Sequence, residues 1–306
     1  MRFHHTFKIK NNIMMKYSGF GFSIAGLSML IFSCVERIDI KLDDSYTKLV
    51  VDGGITTDTM AHTILLSESV GYYYNQPAPS VSGANVQISD GTDLFTLDEE
   101  SPGVYRTDPS FFGVAGKTYT LDIKLAAQIG GFSDYTALST LYPASNLDSV
   151  SLAFHPEWSE DGIWEVKCYA QDPVTEDFYR FMISKNGKMV SDTLDEWFVT
   201  DDRFFNGNYI YGAPIAYLQQ GKEDEILKAG DTITVEMNSI GADYANFIWE
   251  AQSEVRGSNP LFSGPPANVK GNINNGAIGF FAAYSVRRSY TIVNDSIKGV
   301  LSPRHH

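Results

Sequence analysis

The chain has 306 residues, of which 37 are acidic and 23 are basic, so its formal net charge at pH 7 is −14. A negative charge of this size disfavours nucleic acid and other anionic surfaces as the main partner. The length allows one large domain or two ordinary ones.

Residues 1–34 have the layout of an export signal. Basic residues without any acidic one come first, the apolar run 19–32 follows, and Ser33 and Cys34 end the segment. This order of basic, apolar and small residues is typical of a cleaved signal peptide. A cysteine directly after Ser33 is also typical of a lipobox, where the signal is cut before a diacylated thiol. We therefore predict a signal peptide over 1–33 and lipid attachment at Cys34.

The alternative for this segment is a single transmembrane anchor. The apolar run 19–32 is shorter than the ~20 residues that a bilayer core requires. No basic flank follows it, because the residues after Cys34 are mixed in charge. Lipidation is therefore favoured, and the polar residues 34–46 are predicted to be a tether between the lipid and the first strand.

Residues 47–141 are predicted to form an immunoglobulin-like β-sandwich. Short segments of alternating apolar and polar residues recur there at intervals of about 8–12 residues, which is typical of such sandwiches. The clearest alternation covers 118–125, and Asp90-Gly91 is a typical hairpin pair.

Residues 147–301 are predicted to form a second β-rich domain that carries one α-helix. Strand-like segments continue through this region, and a single helical pattern interrupts them near 242–256. In that pattern, apolar residues fall at spacings of three and four, and Gly257 supplies a stop. The predicted fold class is therefore mainly β.

Cys168 is the only cysteine left if Cys34 carries lipid, which excludes an intrachain disulfide in the mature chain. Residues 164–170 alternate between apolar or small and charged positions, and this pattern directs the thiol into a sheet core. The alternative is a reactive or metal-binding cysteine, which is disfavoured because no charged group is obviously aimed at the thiol.

The sequence has no Gly-x-Ser-x-Gly elbow, no His-Glu-x-x-His and no phosphate-binding glycine loop. The loop 155–161 joins a histidine, a tryptophan and three carboxylates, so Glu157 or Glu160 could serve acid–base chemistry on a sugar. A solvated acidic loop is the favoured interpretation. We expect no enzyme activity, no cofactor and no metal.

The motif Asp201-Asp202-Arg203 is followed by two phenylalanines and Asn206-Gly207. Adjacent carboxylates could bind calcium, but Ca²⁺ takes six or more oxygen ligands and two side chains supply too few. We favour a structural role, in which Arg203 pairs with one carboxylate and the turn directs both phenylalanines inward.

Three consecutive tyrosines, Tyr72, Tyr73 and Tyr74, lie in a long loop of the predicted first domain. Binding residues concentrate in loops on rigid scaffolds, and tyrosine is enriched at interfaces. These rings are candidate contacts for a ligand or partner. The loop folding its own tyrosines onto the sheet is the alternative, and the sequence does not separate the two.

Several stretches together resemble the domain-of-unknown-function 4249 lipoproteins of Bacteroidota. They span almost the whole mature chain and comprise 34–40, 48–53, 81–84, 102–106, 201–207, 258–260 and 279–285. Members are usually encoded beside TonB-dependent outer-membrane receptors, so the resemblance implies an accessory or substrate-binding role at the cell envelope. It implies no catalytic residues, because the family has none established.

The leading hypothesis is a non-enzymatic protein anchored through Cys34 to the outer-membrane bilayer, acting with a TonB-dependent receptor on a ligand that the sequence does not identify. The stretch after Cys34 is less acidic than typical surface-export signals, so both the cell surface and the periplasmic face stay open. A surface glycan hydrolase and a structural or adhesive envelope component are the alternatives.

Overall fold

The computed structural model of the protein describes residues 47–71, 76–256 and 269–294. The predicted signal peptide 1–33, the lipidation residue Cys34, the tether 34–46 and the three tyrosines Tyr72, Tyr73 and Tyr74 lie outside these residues.

The described residues are mainly β, as predicted, with one α-helix. The helix is α1 (Ala242–Val255), and a 3₁₀ turn lies at Leu194–Glu196. The strands are β1 (Leu49–Thr56), β2 (Thr63–Glu68), β3 (Asn85–Ser89), β4 (Leu94–Thr96), β5 (Asp98–Ser101), β6 (Val104–Arg106), β7 (Thr118–Ile129), β8 (Phe132–Thr140), β9 (Asn146–His155), β10 (Ile163–Gln171), β11 (Phe178–Lys185), β12 (Lys188–Met189), β13 (Phe198–Asp201), β14 (Tyr209–Gln219), β15 (Thr232–Ile240) and β16 (Ile278–Ile292).

Within the described residues the strands form three sheets. A nine-stranded sheet has the order β12-β11-β15-β16-β1-β2-β6-β5, with β13 also paired to β11. A four-stranded sheet has the order β4-β3-β7-β8, and a three-stranded sheet has the order β14-β10-β9. Parallel pairing of β1 with β16 joins the two parts of the large sheet. That sheet therefore includes strands from both segments predicted as domains, 47–141 and 147–301.

The four-stranded sheet packs on the β1-β2-β6 part of the large sheet, and we call this pair of layers the first sandwich. The alternation predicted in 118–125 is present in β7, where Tyr119, Leu121 and Ile123 are buried and the residues between them are not. Successive side chains of a strand point to opposite faces, so these residues share one face. They meet Val51 and Ile64 of the large sheet in one apolar core.

The three-stranded sheet packs on β11 and β15 of the large sheet, and we call this pair the second sandwich. Trp164, Val166 and Cys168 of β10 meet Phe181 and Val235 in a second apolar core. The inward direction predicted for the Cys168 thiol is confirmed, since this residue is buried and free.

The helix packs on another group of apolar residues that includes Phe178 and Ile240, through its buried residues Ala245 and Ile248. Its bounds agree with the predicted range of 242–256, although Val255 at its last position is exposed. Within the described ranges, no helix has both the length and the apolar composition that crossing a bilayer requires.

Candidate functional site

The three-stranded sheet has one face in the second core and one face toward solvent. Because Trp164, Val166 and Cys168 point inward, the intervening residues of β10 point outward. Residues directly opposite in an antiparallel pair share a face, so the register extends this side to β14 and β9. We call this surface the outer face, and it comprises His155, Trp158, Glu165, Lys167, Tyr169, Tyr209, Tyr211 and Tyr217.

One end of the outer face is formed by the β9–β10 loop, and we call it the Trp158 cluster (His155, Trp158 and Tyr217). The Trp158 ring stacks on the His155 ring with centroids 3.7 Å apart and an interplanar angle of 5°. Its centroid lies 5.9 Å from that of Tyr217. Trp158 is 47% exposed and Tyr217 is 52% exposed, so both rings keep accessible surface.

The other end of the outer face is formed by β14 and β10, and we call it the Tyr211 cluster (Tyr169, Tyr209 and Tyr211). The Tyr209 and Tyr211 ring centroids are 4.6 Å apart, and Tyr211 is 84% exposed. Tyr211 lies opposite Tyr169 in the register. Gly212 follows with a φ of +72°, and an added Cβ there would lie 3.0 Å from the Tyr169 hydroxyl oxygen. Glycine thus allows β14 to pass close to the Tyr169 ring.

A pair of charged residues leads from the Trp158 cluster toward the middle of the outer face, since Glu165 lies opposite Tyr217 and Lys167 lies opposite Pro214. The Glu165 carboxylate accepts hydrogen bonds from Lys167 Nζ at 2.9 Å and from His155 Nε2 at 3.0 Å. A carboxylate only accepts, so His155 carries its proton on Nε2 in this contact. The hydrogen bond from Lys167 is the main cause that lowers the pKa of Glu165, and the same bond raises the pKa of Lys167. Glu165 and Lys167 therefore stabilise each other's charged form.

The carboxylates considered for sugar chemistry lie beside the Trp158 cluster. Glu157 and Glu160 are both exposed. Glu157 lies 3.6 Å from His155 Nδ1 and keeps 65% of its side-chain surface accessible. The loop is thus held to the end of β9 by the stacking of Trp158 on His155.

The motif Asp201-Asp202-Arg203 divides into two environments. Arg203 Nε donates to both oxygens of Asp201 at 2.9 Å, whereas Asp202 is buried. Phe205 packs against the second core, but Phe204 is 91% exposed. The expectation that both phenylalanines turn inward is therefore wrong for Phe204. The turn after Asp202, closed by Phe205 N–H donating to the Asp202 carbonyl at 2.7 Å, sends the two side chains in different directions.

Asp202 instead joins Asp172 and Asp177, and one carboxylate oxygen from each lies within 4.8 Å of the others. Asp172 accepts from the Tyr179 hydroxyl at 2.6 Å and from Gly207 N–H at 3.0 Å. Burial is the largest cause that raises the pKa of Asp172, and the charges of Asp202 and Asp177 raise it further. Three carboxylates fall short of the six to eight oxygens that Ca²⁺ takes. Their hydrogen bonds make the cluster a brace between loops.

The family model described as "Domain of unknown function (DUF4249)" matches residues 35–289 of this sequence. The chain belongs to the DUF4249 family. None of the curated proteins compared with it matches. Among solved structures, one chain titled "Cytokine receptor complex - Crystal form 1A" is similar over 62% of this chain and 82% of its own length, with 12% identity and a TM-score of 0.19. At that TM-score the likeness carries no argument about this protein.

In this DUF4249 protein the segment 155–161, with His155 and Trp158, was predictable from the sequence as a candidate site, whereas the tyrosines of β14 were not predicted. A signal was present, since Tyr209 and Tyr211 are two residues apart, which places both rings on one face of a strand. What the sequence lacked was the register that aligns β14 with β10 and brings Tyr217 to the loop.

Proposed function

We propose that this protein is a non-enzymatic binding protein, anchored to the outer membrane by lipid on Cys34, that acts as an accessory or substrate-binding partner of a TonB-dependent receptor. Membership of the DUF4249 family supports the proposal, together with the resemblance that links this family to such receptors. The lipobox before Cys34 supports the anchor.

The observation that carries the binding role is the outer face. Large parts of three aromatic side chains are exposed there. Tyr211 and Tyr217 lie on a sheet whose other side is packed in the second core, and Trp158 lies on the adjoining β9–β10 loop. Tyrosine and tryptophan are enriched in binding surfaces because they offer a large contact area at a small cost in conformational entropy. A sheet fixed from behind presents these rings with little reorganisation on binding.

Co-purification tests this function. The full-length protein with a tag at its C-terminal end is recovered from solubilised outer membranes, and its proteins and small molecules are identified by mass spectrometry. We expect a TonB-dependent receptor to be recovered with it. Recovery of the protein without any such receptor would contradict the proposed partnership.

The anchor is tested in the same cells by Cys34→Ala, with Cys168→Ala as the matched control. We expect Cys34→Ala to move the protein to the soluble fraction and to abolish receptor recovery. Cys168→Ala removes a buried thiol and should leave the protein in the membrane. Membrane fractionation of the Cys34→Ala protein would contradict lipid anchoring, and protease treatment of intact cells tells which side of the membrane carries it.

A further inference from the structure

We infer that the outer face binds an uncharged saccharide chain, which stacks sugar rings on the Trp158 cluster and the Tyr211 cluster and hydrogen-bonds to the groups between them. This inference rests on the proposed binding function and names the chemical class of its ligand.

The exposed aromatic rings lie near the two ends of the outer face. Trp158 and Tyr217 lie at one end of the outer face, and Tyr209 and Tyr211 lie at the other. Tyr217 lies opposite Glu165 and Tyr211 lies opposite Tyr169, so the two rings are four residues of β10 apart, which is roughly 13 Å at ~3.3 Å per residue. A ligand that touches both clusters must therefore be a chain of several rings.

The exposed faces of the aromatic rings suit the C–H side of a sugar ring. The face of an aromatic ring carries the negative part of its quadrupole and attracts C–H groups. One side of a sugar ring is lined by C–H bonds, and its edge carries hydroxyls. Tyr211 at 84% exposure offers the ring surface, and its phenol can both donate and accept a hydrogen bond.

The charges of the outer face and of the whole chain favour an uncharged ligand. Glu165 pairs with Lys167 at 2.9 Å, so the outer face holds opposite charges side by side rather than a strong field of one sign. The net charge of the whole chain, −14, opposes an anionic ligand. Lys167 keeps 29% of its side chain accessible, and its ammonium has three donors. Donors next to a compensated carboxylate suit hydroxyl groups.

The arrangement also argues against a protein as the occupant. Protein interfaces have an apolar centre and a polar rim. On the outer face a charged residue lies between the exposed rings, since Lys167 is opposite Pro214, between Tyr211 and Tyr217 on β14, and its ammonium pairs with Glu165. A protein partner would have to remove the water that remains around the Lys167 ammonium, which is costly, whereas hydroxyls of a saccharide can replace that water.

Binding of the full-length protein to an array of immobilised uncharged oligosaccharides (glucans, xylans and mannans) tests the inference. The protein is kept in a detergent without a sugar headgroup, because such a headgroup would compete. We expect retention on at least one glycan and a change of tryptophan fluorescence when the same oligosaccharide is added in solution. Failure of the wild-type protein to bind any of these glycans would overturn the inference.

Variants locate the site. Trp158→Ala and Tyr211→Ala should each weaken the affinity for the responding glycan roughly fivefold to tenfold, since each removes one stacking surface. Tyr290→Ala is the matched control, because this tyrosine is 67% exposed on a different sheet, and its affinity should stay within about twofold. Tyr211→Phe keeps the ring and should retain most of the affinity even if Tyr211→Ala folds poorly.

The two proposals fail in different ways. Glycan binding that neither alanine variant changes would overturn the outer face as its site. Loss of receptor recovery in both variants, with no glycan bound by the wild-type protein, would make the outer face a protein interface and overturn the saccharide. Glycan binding without receptor recovery would leave the ligand class standing and remove the receptor partnership.

Discussion

The first sandwich and the part of the chain from β10 onward share one sheet but bury different kinds of side chain. The first core is built from apolar residues such as Leu121 and Phe281. Among the described residues, every buried aspartate, glutamate and arginine lies in β10 or later in the chain, and these are Glu165, Asp172, Arg180, Asp202 and Glu225. Apolar burial dominates in the first sandwich, whereas the part of the chain from β10 onward also depends on partners for charges that are costly to bury alone.

Arg180 shows how the second half accommodates a charge. Its guanidinium lies 4.6 Å from the Tyr284 ring centroid and 4.7 Å from that of Trp197. Nε donates to Asn238 at 3.0 Å and a terminal nitrogen donates to the Tyr244 hydroxyl at 3.0 Å. Aromatic faces and neutral oxygens thus replace water around this cation. A buried cation on the helix side of the large sheet is thus stabilised by specific ring and hydrogen-bond partners, whereas the first core is stabilised by the volume that its apolar side chains fill.

The largest loss of unfolding free energy is expected in the first core, where apolar side chains fill the buried volume. Phe281→Ala removes a fully buried ring from the first core and should lower the free energy of unfolding by about 4 kcal/mol, through lost apolar burial and a cavity. Phe204→Ala, at a 91% exposed phenylalanine, is the control and should change it by less than about 0.5 kcal/mol. Urea unfolding measures both, and equal losses would contradict the burial that separates them.

A smaller loss is expected for Arg180→Ala, about 3 kcal/mol, because it removes the ring contacts and leaves the acceptors on Asn238 and Tyr244 without their donor. Arg203→Ala is the control, since this arginine pairs with Asp201 at the surface, and the loss there should stay under about 1 kcal/mol. If urea unfolding gave the two variants the same loss, the claim that the helix side depends on its buried cation would be wrong.

The third prediction concerns pH. Burial raises the pKa of Asp172 above its ordinary value of 3.8, so the folded state holds this proton more tightly than the unfolded state. Ionisation therefore costs stability above the folded pKa, and the cost disappears as pH falls below 3.8. Relative to Asp172→Asn, the wild-type protein should gain unfolding free energy as pH falls from 7 toward 4, measured by urea unfolding.

Asp108→Asn is the control for that experiment and should give the opposite slope. Hydrogen bonds from Ser110 lower the pKa of Asp108, so its contribution is present above the unfolded pKa and is lost as pH falls through the folded one. Parallel slopes for the two aspartates would contradict the contrast between a buried and an exposed carboxylate.

The smallest effect is expected at Cys168, whose thiol should not react while the protein is folded. Burial raises the pKa of this thiol to about 11, and the nucleophile is the thiolate. In a Cys34→Ala background, iodoacetamide at pH 8 should leave the folded protein unlabelled and label one site after unfolding in guanidinium chloride, as mass spectrometry would show. Equal labelling of the two states would contradict the packing of the second core.

Local periodicity determined the parts of the fold that depend on neighbours along the chain. Alternation predicted that β7 buries one face, the spacing of Tyr244 and Ile248 predicted α1, and the pattern around Cys168 predicted its inward thiol. These predictions succeeded because side-chain direction repeats every two residues in a strand and every 3.6 in a helix.

Tertiary structure alone decided which distant segments meet. The parallel pairing of β1 with β16 joins strands from the two ends of the described chain, and no local pattern encodes it. The same holds for Asp202, which neighbours Asp201 in sequence but clusters with Asp172 and Asp177. The outer face combines the loop 155–161 with tyrosines of β14, because the register with β10 aligns them. Pairing is selected by the packing of the whole core, so residues far apart in sequence become a site only after the chain has folded.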